Sequence, residues 1–555
     1  MLTNNQHVSM RNPGTAILIN YPGYPSSIDS LMPDNGLANL AGSLKRENWK
    51  VLILDYANTD IFGRLVPSEM RKELVKLFAR YSETQKLDPD LASEFQKLNQ
   101  QLYDHALGVQ KEIAQEIISK VREMDALFVG FKLWTGAGQE GSLNIATHIK
   151  TELPEIKIFG GGPHAECFGS CVLKELQPAF DVIALGEGEK TIIDLAEFAL
   201  GKKDLFEIPG IAYWEDEQKT EIRENPVESV KDLNTLSDPV YDPKTYPAME
   251  GDSKLKLVMI DESRGCPFSC NFCFHPVKSG RGWRVRDTSS VINMMESISR
   301  TTGASCFRLS GSNPPPDYKN DLASEMIKRG SPFEYISFGH TRSEDEDYAL
   351  LRKSGLVSLF FGVESGSQSI LDKALNKKTK VEGIRKNFSE ASKAGIMTSA
   401  SLIVPCPFDT QETLQETVDL VSEIKPDGVS IYLPIITPRT EWYTHPKKYE
   451  IEFEGDIFQT MMSYQVRFLM PPPMWDPLPY VISGRTYPEM VGAAQRVTVE
   501  LEKRNILTGS NDSLLMLGRK INRSPQELRQ ENRSMFMTAD QTRIKEIVKE
   551  FNQSR

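Results

Sequence analysis

The sequence predicts an α/β protein with a doubly wound Rossmann-like domain, a partial (β/α)6 barrel and a helical C-terminal domain. The same pattern in two regions of the chain leads to this fold class. Short apolar runs alternate with amphipathic helical segments over residues 15–205 and again over residues 253–450. Such runs are typical of strands buried on both faces of a parallel sheet, and the helices between them indicate βαβ crossovers.

The first alternation predicts a doubly wound domain over residues 1–205. Its strands are TAILIN (15–20), VLILD (51–55), ALFVGF (126–131), IKIFG (156–160) and VIALG (182–186). Residues 61–124 are polar and rich in Lys, Glu and Gln, so we expect a helical insertion there. Residues 206–252 contain a hairpin pattern and a stretch rich in Pro and Asp without periodicity, which predicts a hairpin followed by a linker.

The second alternation predicts six strands, from KLVMID (256–261) to GVSIYL (428–433), in a partial barrel over residues 253–450. Residues 451–555 are mostly helical and form the predicted C-terminal domain. The loop MPPPMWDPLP (470–479) interrupts these helices. Its Met474 and Trp475 either cover an active site or, as the favoured interpretation, pack within the last domain.

Composition limits the classes of function. The chain has 555 residues, 39% of them hydrophobic, and a net charge of -11. An acidic surface argues against general nucleic-acid binding. No run reaches the roughly 18 apolar residues of a membrane span, and the first residues lack a signal-peptide pattern. We therefore expect a cytoplasmic protein.

Three of the seven cysteines, Cys266, Cys270 and Cys273, lie close together in DESRGCPFSCNFCFHP. An odd number of cysteines in a long chain favours reduced thiols over a disulfide framework. The C-x3-C-x2-C spacing on a loop after a strand lets three sulfurs bind three irons of a cubane. The fourth iron then stays open, as in catalytic metal sites. A zinc site with His275 as fourth ligand is the less favoured alternative.

The segment CPFSCNFC matches a C-x3-C-x-aromatic-C motif, with Phe272 as the aromatic residue. On this motif the chain resembles the radical S-adenosylmethionine (radical SAM) superfamily. The resemblance implies a [4Fe-4S] cluster held by Cys266, Cys270 and Cys273. It also implies that S-adenosylmethionine binds the open iron and is cleaved to give a radical that abstracts hydrogen. No catalytic residue is assigned beyond these cofactors.

Other segments resemble the same superfamily less closely. In FGVESGSQSIL, Glu364 and Ser365 occupy the fourth-strand segment, where the resemblance implies contact with the adenosyl ribose. Arg342 lies where relatives often carry an arginine near the methionyl carboxylate. The second-strand motif, usually Gly-Gly-Glu, is altered here, and the resemblance implies that its backbone holds the methionyl amine through Ser310, Gly311 and Ser312.

Glycine-rich segments at the predicted strand ends resemble the cobalamin-binding domain that precedes many radical SAM domains. They are NYPGYP (20–25), NGLANLAGSL (35–44), FGGGPHAE (159–166) and LGEGEKT (185–191). All lie on the carboxyl edge of the sheet, where doubly wound folds bind ligands. The resemblance implies cobalamin contacts from these segments and from the loop after the third strand: Tyr21, Pro22, Gly36, Leu37, Thr135, Gly136, Gly160, Gly161, Gly162, Pro163, His164, Gly186, Glu187 and Gly188.

Two other ligand patterns in the first domain are disfavoured. Gly136-x-Gly138-x-x-Gly141 has the dinucleotide spacing, but it follows the third strand and lacks the acidic residue about 20 positions on. His164, Cys167 and Cys171 have metal-like spacing, although a helix start after the GGGPH turn is favoured. The Asp-x-His-x-x-Gly motif of some cobalamin proteins is absent, so we expect no histidine from the protein as the lower cobalt ligand.

Two segments have open interpretations. KSGRGWRVR holds Lys278, Arg281, Arg284 and Arg286, which suit either a substrate carboxylate or phosphate or a solvated surface. The fifth strand ends in PCPFDTQET instead of the more usual Pro-Gly-Glu-Thr. Cys406 in this loop either faces the active site or, as favoured, is a buried thiol.

Together these resemblances imply a cobalamin-dependent C-methyltransferase that acts on an unactivated carbon of a natural product, peptide or other small substrate. The implied partners are that substrate and an electron donor such as flavodoxin or ferredoxin. One alternative is a non-methylating rearrangement, ring contraction or cyclisation. Another is a non-catalytic cobalamin or redox sensor. A methylthiotransferase is disfavoured, because no cysteine precedes Cys167.

Overall fold

The computed structural model describes residues 13–84, 86–216, 218–342 and 346–554. Two sheets made mostly of parallel strands form its framework, the first from strands before residue 225 and the second from strands after residue 256. Within the described ranges, no helix has both the length and the apolar character needed to cross a membrane.

The first sheet contains the five predicted strands and two more. The strands are β1 (Thr15–Asn20), β2 (Lys50–Asp55), β3 (Ala126–Lys132), β4 (Lys157–Gly161), β5 (Val182–Ala184), β6 (Ile211–Trp214) and β7 (Ile222–Glu224). Their order is β2-β1-β3-β4-β5-β6-β7, and the first five are parallel. The predicted hairpin is therefore part of this sheet, because β6 pairs antiparallel with β5.

The helices of this domain connect its parallel strands. They are α1 (Asn35–Arg46), α2 (Ile61–Leu65), α3 (Ser68–Thr84), α4 (Pro89–Met124), α5 (Ala137–Glu152), α6 (Pro163–Phe168), α7 (Cys171–Glu175) and α8 (Gly188–Ala199). The side chain of Asp88 caps α4 at Leu91 N–H, and Pro89 fills its first turn. The predicted insertion is helical, but α4 also serves as the crossover into β3.

The second sheet is an open parallel barrel of order β15-β14-β13-β12-β11-β8. The strands of this region are β8 (Leu257–Ile260), β9 (Ser263–Arg264), β10 (Arg284–Val285), β11 (Cys306–Leu309), β12 (Glu334–Gly339), β13 (Leu356–Glu364), β14 (Met397–Ile403) and β15 (Gly428–Tyr432). Its helices are α9 (His275–Ser279), α10 (Thr288–Thr302), α11 (Pro316–Lys328), α12 (Tyr348–Lys353), α13 (Gln368–Lys373), α14 (Val381–Lys393) and α15 (Gln411–Ile424). β9 and β10 form a separate antiparallel ladder.

The C-terminal region is helical with a small antiparallel ladder. Its elements are α16 (Glu441–Thr444), β16 (Ile451–Phe453), α17 (Ile457–Ser463), β17 (Tyr480–Ile482), α18 (Tyr487–Lys503), α19 (Asp512–Lys520), α20 (Pro525–Met537) and α21 (Gln541–Gln553). This region contacts both the first domain and the barrel. Phe536 packs edge-on against Phe62 in the first domain, and Asp512 lies 3.0 Å from the guanidinium of Arg308 in the barrel.

Candidate cofactor site

A short ladder closes the two ends of the cysteine loop. In β9 and β10, Arg264 lies opposite Arg284, and the N–H of Cys266 donates to the carbonyl of Gly280 at 3.0 Å. Gly265 has φ +82°, and a Cβ atom there would lie 2.1 Å from the carbonyl oxygen of Gly282. Only glycine fits at this point, because both the backbone conformation and the space exclude a side chain.

The far side of the loop is anchored to the turn after α13. The N–H of Asn271 donates to the carbonyl of Leu375 at 3.0 Å. The side chains of Asn271 and Trp442 both donate to the carbonyl of Ala374. Phe272 packs on the Trp442 ring, with centroids 5.8 Å apart. Phe272 therefore fixes the loop by packing against the C-terminal region.

The three cysteines of the loop are half-buried free thiols. Burial raises the pKa of Cys266 and raises that of Cys273 to about 11. In the described chain, no three His, Cys, Asp or Glu side chains form a group suited to a single metal ion. A zinc site would need the three thiolates within about 2.3 Å of one point and His275 as its fourth ligand. His275 instead has Nε2 2.8 Å from Ser312 Oγ.

The altered second-strand motif lies against the start of the cysteine loop. The N–H of Gly311 donates to Glu262 Oε2 at 3.0 Å, and the N–H of Ser312 donates to Ser263 Oγ at 2.8 Å. Ser310 N–H bonds the last carbonyl of β8. Burial raises the pKa of Glu262 to about 7. Sequence analysis missed Glu262, because a lone acidic residue before the cysteines carries no signal of its own.

Arg342 lies beside the cysteines. Its Nη2 is 3.6 Å from Cys270 Sγ, and its guanidinium lies 3.7 Å from the centroid of the Phe268 ring. Three buried polar atoms in this neighbourhood have no hydrogen-bond partner in the part of the chain described: Arg342 Nε, Trp283 Nε1 and Asn313 Oδ1. The Trp283 ring packs on Phe268. Because buried polar groups are almost always bonded, these atoms mark a place for a polar ligand.

Glu364 and Ser365 have different surroundings although they are adjacent. Glu364 has φ +65° at a bulge in β13, and its carboxylate accepts from Ser401 Oγ at 2.9 Å and pairs with Lys377 at 3.3 Å. A non-glycine residue in this conformation is strained, and such strain is concentrated at functional sites. Ser365 is buried, and its hydroxyl bonds Thr417, so it stabilises the turn.

A cavity of about 420 Å³ lies between the first sheet, α1, α8 and the barrel. Its size is within the range of roughly 300–1,000 Å³ typical of small-molecule sites. The first domain contributes most of the predicted cobalamin residues to its wall, and the barrel contributes the altered second-strand motif. These residues are Gly36, Leu37, Gly160, Gly161, Gly162, Pro163, Gly186, Glu187, Gly188, Ser310, Gly311 and Ser312.

Ion pairs cross between the two domains beside this cavity. The pairs are Arg264–Glu189, Arg284–Glu187 (2.7 Å) and Lys278–Glu166 (3.0 Å). The carboxylate of Glu187, predicted to contact cofactor, is therefore directed at Arg284. In the basic segment KSGRGWRVR, Lys278 and Arg284 therefore contact the first domain and do not form a solvated surface. Arg286 of the same segment is buried.

A second cavity of about 1010 Å³ adjoins the first, because Lys132 and Met259 line both. Tyr21, Pro22, Thr135 and Gly136 line the larger one. Residues 463–470 and 476 of the C-terminal region form another wall. The indole N–H of Trp475 donates to the carbonyl of Met470 at 2.9 Å, so the Pro-rich loop supports this wall by ordinary packing.

A buried network holds one aromatic wall of the larger cavity. Trp134 Nε1 donates to Asn20 Oδ1 at 2.7 Å, and Asn20 Nδ2 donates to Asp55 Oδ1 at 2.8 Å. Lys254 Nζ lies 2.8 Å from Asp55 Oδ2, and both side chains are fully buried. Tyr246 also donates to Asp55. The segment between the sheets therefore fixes Trp134 through a chain of polar contacts that no local motif predicts.

His164 lies outside both cavities. It is fully buried, packs on Phe168 with ring centroids 4.9 Å apart, and burial lowers its pKa to about 4. It lies in the first turn of α6, which begins at Pro163 as the favoured helix start predicts. In the segment 136–141, close packing against Tyr21 requires glycine at position 141, because a Cβ atom there would lie 2.1 Å from Tyr21 Cε1.

Comparison with protein families identifies both halves of the site. Residues 98–196 match the B12 binding domain, and residues 262–421 match the Radical SAM superfamily. The chain combines a B12 binding domain with a radical SAM domain. The cofactors of these two domains are cobalamin, a [4Fe-4S] cluster and S-adenosylmethionine.

A solved structure shares this fold, and other proteins are similar in sequence over part of the chain. The radical SAM methyltransferase TsrM from Kitasatospora setae, solved with cobalamin and a [4Fe-4S] cluster, is 15% identical with a TM-score of 0.63, covering 95% of this chain and 99% of that one. The anaerobic magnesium-protoporphyrin IX monomethyl ester cyclase of Cereibacter sphaeroides is 28% identical over 62% of this chain and 56% of that protein. An uncharacterized methyltransferase of Pyrococcus horikoshii is 22% identical over 64% of this chain and 75% of that protein. This chain spans about half the length of the cyclases that it matches.

The residues of the B12 binding domain and the radical SAM domain fit the cofactors of these domains. Three thiols on one loop supply the donors that an iron–sulfur cluster requires, and the unpartnered atoms beside them suit a polar ligand such as S-adenosylmethionine. The smaller cavity presents bare glycine backbone, which permits the close approach of a large ligand such as cobalamin. Of the histidines described in the B12 binding domain, none lines either cavity.

Proposed function

We propose that this protein is a cobalamin-dependent C-methyltransferase that acts on an unactivated carbon of a small molecule or peptide. The observation that supports this proposal is the pair of adjoining cavities, which share Lys132 and Met259 and bring the glycine loops beside Ser310, Gly311 and Ser312 of the barrel. A reaction that uses two cofactors on one substrate atom needs both sites close together and shielded from water. The methyltransferase names of the K. setae and P. horikoshii proteins agree with it.

In the radical SAM domain, we assign the cluster to the thiolates of Cys266, Cys270 and Cys273. Arg342 has its Nη2 3.6 Å from Cys270 Sγ, and we assign its guanidinium to the methionyl carboxylate of S-adenosylmethionine. Glu364, held by Ser401 and Lys377, is oriented to accept from ribose hydroxyls. When bound, the cluster and S-adenosylmethionine supply a hydrogen-abstracting radical, and cobalamin carries the methyl group. The protein orients these groups and excludes water.

In the B12 binding domain, we assign the nucleotide tail of cobalamin to the smaller cavity and the corrin to residues of the larger one. The tail would lie against Gly36, the glycines 160–162 and the turn 186–188. The corrin would contact Tyr21, Pro22, Thr135 and Gly136. Since no described histidine of this domain lines these cavities, we infer that the B12 binding domain supplies no imidazole to cobalt.

Product analysis of the anaerobically reconstituted protein tests this proposal. The protein is incubated with S-adenosylmethionine, cobalamin, a reductant and candidate substrates suggested by genes beside its own. We expect 5′-deoxyadenosine and S-adenosylhomocysteine in roughly equal amounts, and a product heavier by one methylene. The C270A variant should form no deoxyadenosine. Turnover without S-adenosylhomocysteine and without that gain in mass contradicts methylation.

Cyclisation is the second candidate, because the C. sphaeroides relative is a cyclase. It predicts deoxyadenosine together with a product that has lost hydrogen and gained no methyl carbon. Both candidates need one electron for each radical formed, so we also propose a flavodoxin or ferredoxin as donor. Replacing the chemical reductant with either protein and its reductase should restore deoxyadenosine formation, and failure with both would exclude this class of donor.

A further inference from the structure

The ammonium group of Lys132 lies where the two cavities meet. Lys132 is the last residue of β3 and lines both cavities. It passes between two glycine segments of the smaller cavity. A Cβ atom on Gly162 would lie 3.2 Å from Lys132 Cγ, and one on Gly36 would lie 3.8 Å from its Nζ. A group bound against Gly36 therefore meets the ammonium of Lys132 together with the carboxylate of Asp34, whose Oδ1 would lie 3.3 Å from a Cβ atom on Gly36.

Other cations beside the smaller cavity are committed to the domain contact. Arg264 pairs with three carboxylates, and Lys278 pairs with Glu166 of the other domain. Lys132 pairs within its own domain with Asp34, whose carboxylate also caps α1 by accepting the N–H of Leu37. One carboxylate oxygen of Asp34 accepts the cap and the other accepts from Lys132, so the ammonium keeps two further N–H donors for a bound anion.

Two helices also begin at the smaller cavity. The first turn of α1 contributes Gly36 and that of α8 contributes Gly188, and both helices have 12 residues. The N-terminus of a helix carries partial positive charge and favours an anion. The helix termini and Lys132 therefore add positive potential to the wall of this cavity, where Glu187 and Glu189 are paired with arginines of the barrel.

We propose that Lys132 binds the phosphodiester of the cobalamin nucleotide tail. This inference rests on the proposed function, because it requires cobalamin in the smaller cavity. The corrin side chains of cobalamin are neutral amides, whereas the tail carries a phosphodiester with a permanent negative charge. An ammonium–phosphate contact is a charge-assisted hydrogen bond. Lys132 thus makes the protein select corrinoids that have a phosphorylated tail.

Binding titrations with three corrinoids test this assignment. Cobalamin has the whole tail, cobinamide phosphate keeps the phosphate without the nucleoside, and cobinamide lacks both. Visible absorbance of the full-length protein gives each affinity without turnover. We expect K132Q to bind the first two ligands roughly tenfold more weakly, as for the loss of a hydrogen bond to a charged group. Its affinity for cobinamide should not change.

Two control variants accompany K132Q. K132R keeps the positive charge and should retain most of the affinity, which separates lost charge from a damaged fold. K157Q removes a lysine at the start of β4 that lies over Phe198, as Lys132 lies over Trp134. Lys157 lines neither cavity, so K157Q should bind all three ligands as the wild type does.

The remaining outcomes separate this inference from the proposed function. Equal weakening of all three corrinoids in K132Q, or weakening of none, overturns the role of Lys132. Weakening for cobalamin but not for cobinamide phosphate overturns it too, because the nucleoside would then be the group recognised. A wild-type protein that binds none of the three corrinoids refutes the proposed function itself.

Discussion

Arg284 and Glu187 join the two domains through two parallel contacts, Nη2 to Oε1 at 2.7 Å and Nη1 to Oε2 at 3.1 Å. Glu187 belongs to the turn that lines the smaller cavity, and Arg284 lies on the strand that closes the cysteine loop. Planar pairs of this kind fix orientation as well as distance. This pair therefore sets the position of the cysteine loop relative to the B12 binding domain.

Replacing one member of this pair should loosen the domain contact. In E187Q we expect unfolding to become easier by about 2 kcal/mol, because a largely buried guanidinium loses its charged partner. We also expect weaker cobalamin binding. Chemical denaturation of E187Q, R284Q and the double variant measures the coupling. E228Q, which removes an exposed partner of Lys190, should have little effect. Purely additive losses in the double variant would show that the pair contributes nothing.

The glycine before the first cysteine should control cluster retention. In G265A the new methyl group meets the carbonyl of Gly282 and the backbone is strained, so the loop must shift although no cysteine is changed. We expect the iron content after reconstitution to fall to less than half. G280A is the matched control, because Gly280 has a similar φ but open space around its Cβ position. Equal iron content in the two variants would contradict the steric cause.

The strands could be predicted from the sequence because strands buried on both faces consist mostly of apolar residues. Every residue of TAILIN is buried, and the other predicted strands likewise lie in parallel sheets. The cysteine loop could be predicted because its residues are adjacent in the chain. Glu262 and Lys132 could not, because their roles depend on Gly311 and Asp34, which are distant in sequence. The pairing of the 211–224 hairpin with β5 also depends on tertiary contact, which local periodicity does not report.

The buried carboxyl of Glu262 should make stability depend on pH. Its pKa rises from 4.5 in the unfolded chain to about 7 in the folded protein. The folded state therefore binds more protons between these values, and this contribution to stability is lost as the pH rises through that window. The loss approaches about 3 kcal/mol above pH 7. E262Q carries no such group, so its free energy of unfolding relative to that of the wild type should increase as the pH rises from 5 to 8.

Denaturant midpoints of E262Q and the wild type at several pH values measure this effect. E382Q is the control, because Glu382 is exposed on α14 and its loss should leave the pH profile unchanged. Parallel pH profiles for E262Q and the wild type would show that Glu262 does not titrate in this window.

Glu364 should matter more for S-adenosylmethionine than for cobalamin. E364Q keeps the shape of the side chain but removes the charge that Ser401 and Lys377 orient. We expect the affinity for S-adenosylmethionine to fall roughly tenfold, as for the loss of a hydrogen bond to a charged group. Isothermal titration of the reconstituted protein measures it, with E382Q as the exposed control. Unchanged S-adenosylmethionine affinity, or an equal loss of cobalamin affinity, would contradict the assigned role.

The helix α19 packs against β12, β13 and β14, and its first residue, Asp512, bonds Arg308 from 204 positions away in the chain. A ribosome that has synthesised the whole barrel has therefore not yet supplied the segment that covers these strands. Contacts over such separations form slowly, and incompletely covered strands are prone to aggregate. Folding of the barrel must then finish after synthesis has passed residue 520, and a fragment ending at residue 450 should aggregate during expression.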